Sequence, residues 1–275
     1  MNRNIFVNVL NNKTKQEVYL INDYIEAQMN ITEKRILSSI PINSINNNAP
    51  LSNASGCFID YRGHTFFLTV YHTVSNNNLT NGIVVDFDPS KGVCLAQLTV
   101  FCPFIRGNIL TKEVDEVDFA CREIDTMPPC QYFEVDSYGK IIRRTPRIKL
   151  ISDLTDLPSK NEEYGFAGYI YGNLTGNPLV NAKFKYVWNQ ELGYYEGLKY
   201  VCSKGDYHLF SLPNTRDYDA DDFKGTSGAP ILDSQGKLVA LVACGYLSND
   251  GKEWIIKGFN LAKYKDIIDI ECGLL

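Results

Sequence analysis

A chain of 275 residues, 44% of them hydrophobic, has enough apolar side chains for one large domain or two small barrels. Its formal net charge of −5 argues against nucleic-acid binding as its main task. No apolar run reaches the length of a membrane span, and Met1-Asn2-Arg3-Asn4-Ile5-Phe6 lacks the long apolar core of a signal peptide, so the expected address is cytoplasmic.

The first fifty residues read as helix. Val18, Ile21, Tyr24 and Ile25 recur at helical spacing, and the stretch from Ile31 to Ile36 continues or restarts that pattern. Pro41 and the Asn-rich run from Asn43 to Asn48 then break it. Residues 1–50 are therefore expected to form a helical extension and linker, either packed on the following domain or serving as a docking or regulatory segment.

From Gly56 the period changes to that of strands. Cys57–Tyr61 and Thr65–Val70 flank the turn Arg62-Gly63-His64, which predicts a hairpin. Short apolar runs follow at 82–87, 94–104, 118–124, 141–151, 163–171, 183–188, 197–202, 208–212, 229–232, 238–246 and 254–260, separated by Gly, Pro, Asn and Asp turns. Many short strands so punctuated predict an all-β barrel or sandwich. Leu261, Tyr264, Ile267 and Ile268 then make the single apolar stripe of a C-terminal helix. The eight cysteines are scattered without a C-x-x-C pair, so they read as reduced, small hydrophobic residues rather than as a zinc site.

The stretch that carries chemistry is Lys224-Gly225-Thr226-Ser227-Gly228-Ala229-Pro230. Glycines on both sides of Ser227 permit a tight turn that exposes its hydroxyl and aims two backbone N–H groups at one point. Acyl transfer needs this pairing of a nucleophile and an oxyanion hole, together with a base and an orienting acid. Three histidines are available: His64 in a turn, His208 in a strand, and His72 at the end of the second hairpin strand. Asp118, framed by Val117 and Phe119, is a carboxylate in apolar surroundings that needs a partner. Asp115, in a charged run, and Asp86 are its rivals.

In chain order, Thr69-Val70-Tyr71-His72-Thr73-Val74, Glu116-Val117-Asp118-Phe119-Ala120 and Gly225-Thr226-Ser227-Gly228-Ala229-Pro230 resemble the trypsin/chymotrypsin family of serine proteases, in particular its bacterial trypsin-like and HtrA-type branch. Ala54–Ile59, Leu238–Ala243 and Gly258-Phe259-Asn260 are similar to the flanking strands of that family, and the resemblance covers about residues 50–275. It implies a protease domain over 51–275, with two six-stranded antiparallel β-barrels at about 51–150 and 151–260, the C-terminal helix, and a site in the cleft between the barrels. His72 would be the general base, Asp118 its orienting acid and Ser227 the nucleophile, with the N–H groups of Gly225 and Ser227 as the oxyanion hole. No metal or organic cofactor is implied. The partners would be a protein or peptide substrate and an activating protein, with no nucleic acid and no membrane.

Two departures bear on activation. Thr226 stands where secreted members carry an Asp that pairs with a freed N-terminus, and Thr73 stands where a Cys often follows the catalytic His. Both fit an intracellular enzyme that needs no cleavage of its own chain, and both leave activation by a partner open. Asp221, six residues before Ser227, matches the pocket-floor Asp that favours Arg or Lys before the scissile bond. The alternative is that Asp217, Asp219, Asp221 and Asp222 form one solvated loop. Tyr246, after Gly245, would line or block the pocket wall. Against the protease stands a catalytically silent barrel module that binds a peptide or partner.

Overall fold

The computed structural model describes residues 29–46, 49–76, 79–88, 92–98, 101, 103–107, 112–135, 141–171, 190–214 and 217–273. The helix expected at 18–25 and the strand expected at 183–188 lie outside these. Helix α1 (Ile31–Ser38) starts at Asn30, whose side-chain oxygen accepts the Glu33 N–H at 2.9 Å. It leads directly into strand β1 (Ile40–Asn46). The expected linker is therefore corrected over residues 40–46. Ile40 and Ile42 are fully buried at alternate positions, and β1 pairs with strands on both sides. Pro41 is tolerated because pairing on the second side begins only at Ile42.

β2 (Ala49–Tyr61) and β3 (His64–Thr69) form the expected hairpin. Its two-residue turn has positive φ at both Arg62 (50°) and Gly63 (85°), the geometry that matches the twist of the flanking strands. The first half continues with β4 (Thr80–Asp88), β5 (Gly92–Gln97), β6 (Phe104–Gly107), β7 (Val114–Val117), β8 (Ala120–Ile124), β9 (Gln131–Val135), β10 (Ile141–Pro146) and β11 (Leu150–Ile151). Its main sheet runs β5-β4-β1-β2-β3-β8, with β11 parallel to β2. Among the described residues this sheet is curled rather than closed, and β6–β7 and β9–β10 are two-stranded ribbons beside it.

The second half is a closed six-stranded barrel of β12 (Glu163–Tyr171), β13 (Gln190–Lys204), β14 (Tyr207–Leu212), β15 (Pro230–Leu232), β16 (Leu238–Leu247) and β17 (Trp254–Asn260), in the order β12-β13-β14-β17-β16-β15. Helix α2 (Lys265–Glu271) follows, later by four residues than the expected start because Ala262–Tyr264 first form a 3-10 turn. Among the described residues no helix is long and apolar enough to cross a membrane.

One apolar cluster runs through both halves. Cys57, Phe66, Leu68 and Phe119 of the first meet Leu232, Leu241 and Phe259 of the second, with Ile268 of α2 against them. A polar clamp closes the rim. Arg106 on β6 lies 2.9 and 3.1 Å from the two carboxylate oxygens of Asp206 in the β13–β14 turn and also donates to the Tyr264 hydroxyl at 2.9 Å, while Lys263 donates to Asp206. Burial pushes the Asp206 carboxyl up, but hydrogen bonds with Lys263, Tyr264 and Arg106 outweigh it and hold the group at about 2. A carboxyl held below its unfolded value stabilises the fold above about pH 4 and loses that contribution as the pH falls through its folded value. Asp206→Asn should therefore lower the urea midpoint at pH 7, and its gap from wild type should close between about pH 4 and pH 2. A gap of constant size across that range would contradict the clamp.

Candidate active site

β3 ends at Thr69, and the chain passes into one 3-10 turn, Tyr71–Thr73. The Thr73 hydroxyl donates to Val70 O at 2.7 Å and the Val74 N–H to Tyr71 O at 2.9 Å, which closes the turn. Tyr71 points inward, and the His72 side chain is left 51% exposed. Asp118 arrives from the end of β7. The Phe119 N–H donates to Val117 O at 2.7 Å, a three-residue turn with both apolar neighbours buried, so the carboxylate between them is directed out. Phe119 is held in a run of rings, Phe104–Phe119–Phe259–Tyr264, with centroids 5.9, 5.3 and 5.0 Å apart, that crosses from one half to the other.

The Asp118 carboxylate grips His72 three ways. Oδ1 accepts the His72 backbone N–H at 3.0 Å, and ring Nδ1 lies 3.0 Å from Oδ1 and 3.0 Å from Oδ2. A carboxylate only accepts, so this arrangement puts the ring proton on Nδ1 and leaves the Nε2 lone pair free to take another proton. The rivals are elsewhere. Asp115 pairs with Arg106 and Asp86 with Arg144, His64 faces Glu123, and His208 is buried against Ser203.

The Ser227 turn is built on two glycines in the left-handed region, Gly225 (φ 93°) and Gly228 (φ 88°). A Cβ on Gly225 would come 2.4 Å from Tyr169 O, and one on Gly228 would come 1.9 Å from Ser55 O. Between them Thr226 is fully buried, its hydroxyl donating to Phe223 O at 2.9 Å. The turn is tied to the first half by Ser55 of β2, which is fully buried. The Ser55 N–H donates to Ser227 O at 2.8 Å, its hydroxyl donates to Gly225 O at 3.0 Å, and the same hydroxyl accepts the Tyr169 N–H at 3.0 Å. Ser55 O in turn accepts the Thr69 hydroxyl at 2.8 Å, three residues before His72. Nothing but the small residues around Ser55 signalled this in the sequence.

Among the described residues no acceptor takes the N–H of Gly225 or of Ser227, so both remain available to an anionic oxygen. The Ser227 hydroxyl donates to Ala243 O on β16 at 3.0 Å, and among the described residues no hydrogen bond joins it to His72. The expected floor carboxylate is corrected. Asp221 sits in the 3-10 turn Ala220–Phe223, its side chain 61% exposed and 2.6 Å from Lys224 Nζ. The acidic run is used instead to cap that turn: Asp219 accepts the N–H groups of Asp221 and Asp222, and Asp222 accepts that of Asp219. Tyr246 lies on β16 opposite Ile255, 39% exposed. Among the described residues no three His, Cys, Asp or Glu side chains gather as a metal would need.

No family model and no curated protein matches the chain. Solved structures do match it. HL collagenase superposes with a TM-score of 0.50 at 14% identity, over 87% of this chain and 95% of that one. The serine endoprotease of Yersinia pestis gives 0.45 at 14% identity over 87% of this chain, which spans only 64% of that protein. The MamO protease domain of Magnetospirillum magneticum gives 0.38 at 13%, over 82% and 92%. At these identities the likeness is one of fold, and the collagenase match carries it. The chain has the trypsin/chymotrypsin-like double-barrel fold.

Removing the Ser55 hydroxyl would leave the buried Tyr169 N–H and the part-buried Gly225 O without their partner. Ser55→Ala should therefore cost about 1–3 kcal/mol of stability, read from urea unfolding. An unchanged midpoint would mean that this bridge is not made.

Proposed function

We propose that this chain is a serine endopeptidase of the bacterial trypsin-like and HtrA-type branch, acting on proteins or peptides in the cytoplasm without a metal or organic cofactor. The observation that carries the reading is the threefold grip of Asp118 on His72, which fixes the imidazole tautomer a base needs. In the first step Ser227 Oγ attacks the scissile carbonyl carbon and its proton passes to His72 Nε2. The carbonyl oxygen becomes an anion that accepts the N–H groups of Gly225 and Ser227. The amine then leaves with the proton from His72, and water, activated by the same imidazole, hydrolyses the acyl-enzyme. Each oxyanion donor is worth about 10²–10³-fold in kcat. Among the described residues no strand pairs with β16 beyond Val242 on the side of Ser227, and that edge supports docking of an extended substrate backbone.

A second reading, a silent or latent module awaiting a partner, is favoured by the Ser227 hydroxyl donating to Ala243 O instead of to His72. One neutral hydrogen bond is worth only about 0.5–1.5 kcal/mol, so rotation of the hydroxyl toward His72 is a small barrier beside those of acyl transfer. Fluorophosphonate labelling separates the two readings. Wild type should label, Ser227→Ala should not, and His72→Ala should label about 10²–10⁴-fold more slowly. A folded wild type that takes no label would establish the silent or latent module.

A further inference from the structure

We propose that Phe223 is a specificity-determining residue: its ring fills the space beside Ser227 where the side chain preceding the scissile bond would lie, and it restricts cleavage to bonds after small residues such as Gly, Ala and Ser. This rests on the reading of Ser227 as nucleophile. A carbonyl attacked by Ser227 must turn its oxygen to the N–H groups of Gly225 and Ser227, which fixes where the substrate backbone passes. Ala243 O, 3.0 Å from Ser227 Oγ, marks the start of the open β16 edge along which that backbone would run. The side chain next to the reacting carbonyl then projects between this edge and the segment 220–225.

That space is taken. The Phe223 ring lies against Gly245, two residues beyond Ala243, so closely that a Cβ on Gly245 would be 2.6 Å from Phe223 Cγ and 2.9 Å from both Cδ atoms. The ring is 5% exposed and belongs to an aromatic cluster, its centroid 5.0 Å from Trp254, 5.3 Å from Tyr195 and 5.9 Å from Tyr218. Its backbone is pinned as well. Phe223 O accepts both the N–H and the hydroxyl of Thr226, and the Tyr195 hydroxyl donates to Asp222 O. Displacing the ring would break the cluster and uncap the turn that leads to Ser227. A cationic side chain would find no buried partner either, because Asp221 is solvated beside Lys224.

The test uses peptidyl diphenyl phosphonates that differ only in the side chain next to phosphorus: methyl, isobutyl, benzyl or guanidinopropyl. The Ser227 oxygen forms a bond to phosphorus, a P–O bond to phenoxide breaks, and the serine proton passes to His72, so each label reports the site without turnover. Wild type should react about ten-fold faster with the methyl probe than with the others, and Phe223→Ala should reverse the preference toward benzyl or isobutyl. Phe223→Leu, which keeps most of the volume, should retain the methyl preference and covers the case in which the alanine variant does not fold. Wild type reacting with the large probes as fast as with the methyl probe would overturn the proposal, as would a folded Phe223→Ala with an unchanged profile. A simple fluorophosphonate run in parallel separates the failures. If it labels Ser227 and the methyl probe does not, the Phe223 proposal fails alone; if it does not label, the nucleophile reading fails and takes the proposal with it.

Discussion

The Ser55 hydroxyl and its backbone N–H join the two halves of the molecule at the Ser227 turn. The serine sits in β2 of the curled sheet, yet it binds the carbonyls of Gly225 and Ser227 and the Tyr169 N–H of β12 in the second barrel. The peptide planes 225–226 and 227–228 are thereby fixed, and the plane between them, which carries the Ser227 N–H, has little freedom left. The approach this requires is so close that Gly228 has no room for a Cβ. The same serine reaches the His72 turn through Thr69. Ser227 and His72 are thus positioned by one set of bonds rather than by two halves that happen to touch. Burying polar groups this deeply is tolerable only because each of them is paired.

Around that joint the work is divided unequally. The His72–Asp118 pair is set by stiff elements: a closed 3-10 turn on one side, and on the other a three-residue turn clamped by Val117 and the ring stack through Phe119. The Ser227 hydroxyl is the one component held by a single neutral hydrogen bond. Turning that hydroxyl toward His72 breaks one bond and leaves the rest of the site in place.

Much of this was legible in the sequence. The apolar runs expected at 163–171 and 254–260 coincide with β12 and β17 residue for residue, because polar turn residues bound each of them. His72, Asp118 and Ser227 are singled out by the resemblance to the trypsin/chymotrypsin family, and the fold brings the first two into contact. Other features were hidden for physical reasons. β1 was obscured by Pro41 and its polar residues, since Asn43 and Ser44 are buried by pairing rather than by apolar character. β7 is a ribbon with three exposed residues, so it lacks the apolar face that would distinguish a strand from a charged loop. Asp221 was misplaced because spacing from Ser227 does not reveal that the acidic run caps a one-turn helix. Phe223, four residues before Ser227, offered no signal beyond being apolar.

The most direct test of the central claim is a crystal structure of the protein after fluorophosphonate treatment. The account predicts the phosphonyl group on Ser227 Oγ, its oxygen within hydrogen-bonding distance of the Gly225 and Ser227 N–H groups, the bond to Ala243 O broken, and His72 still held by Asp118. A phosphonyl group on another residue, or one on Ser227 whose oxygen points away from both amides, would contradict it.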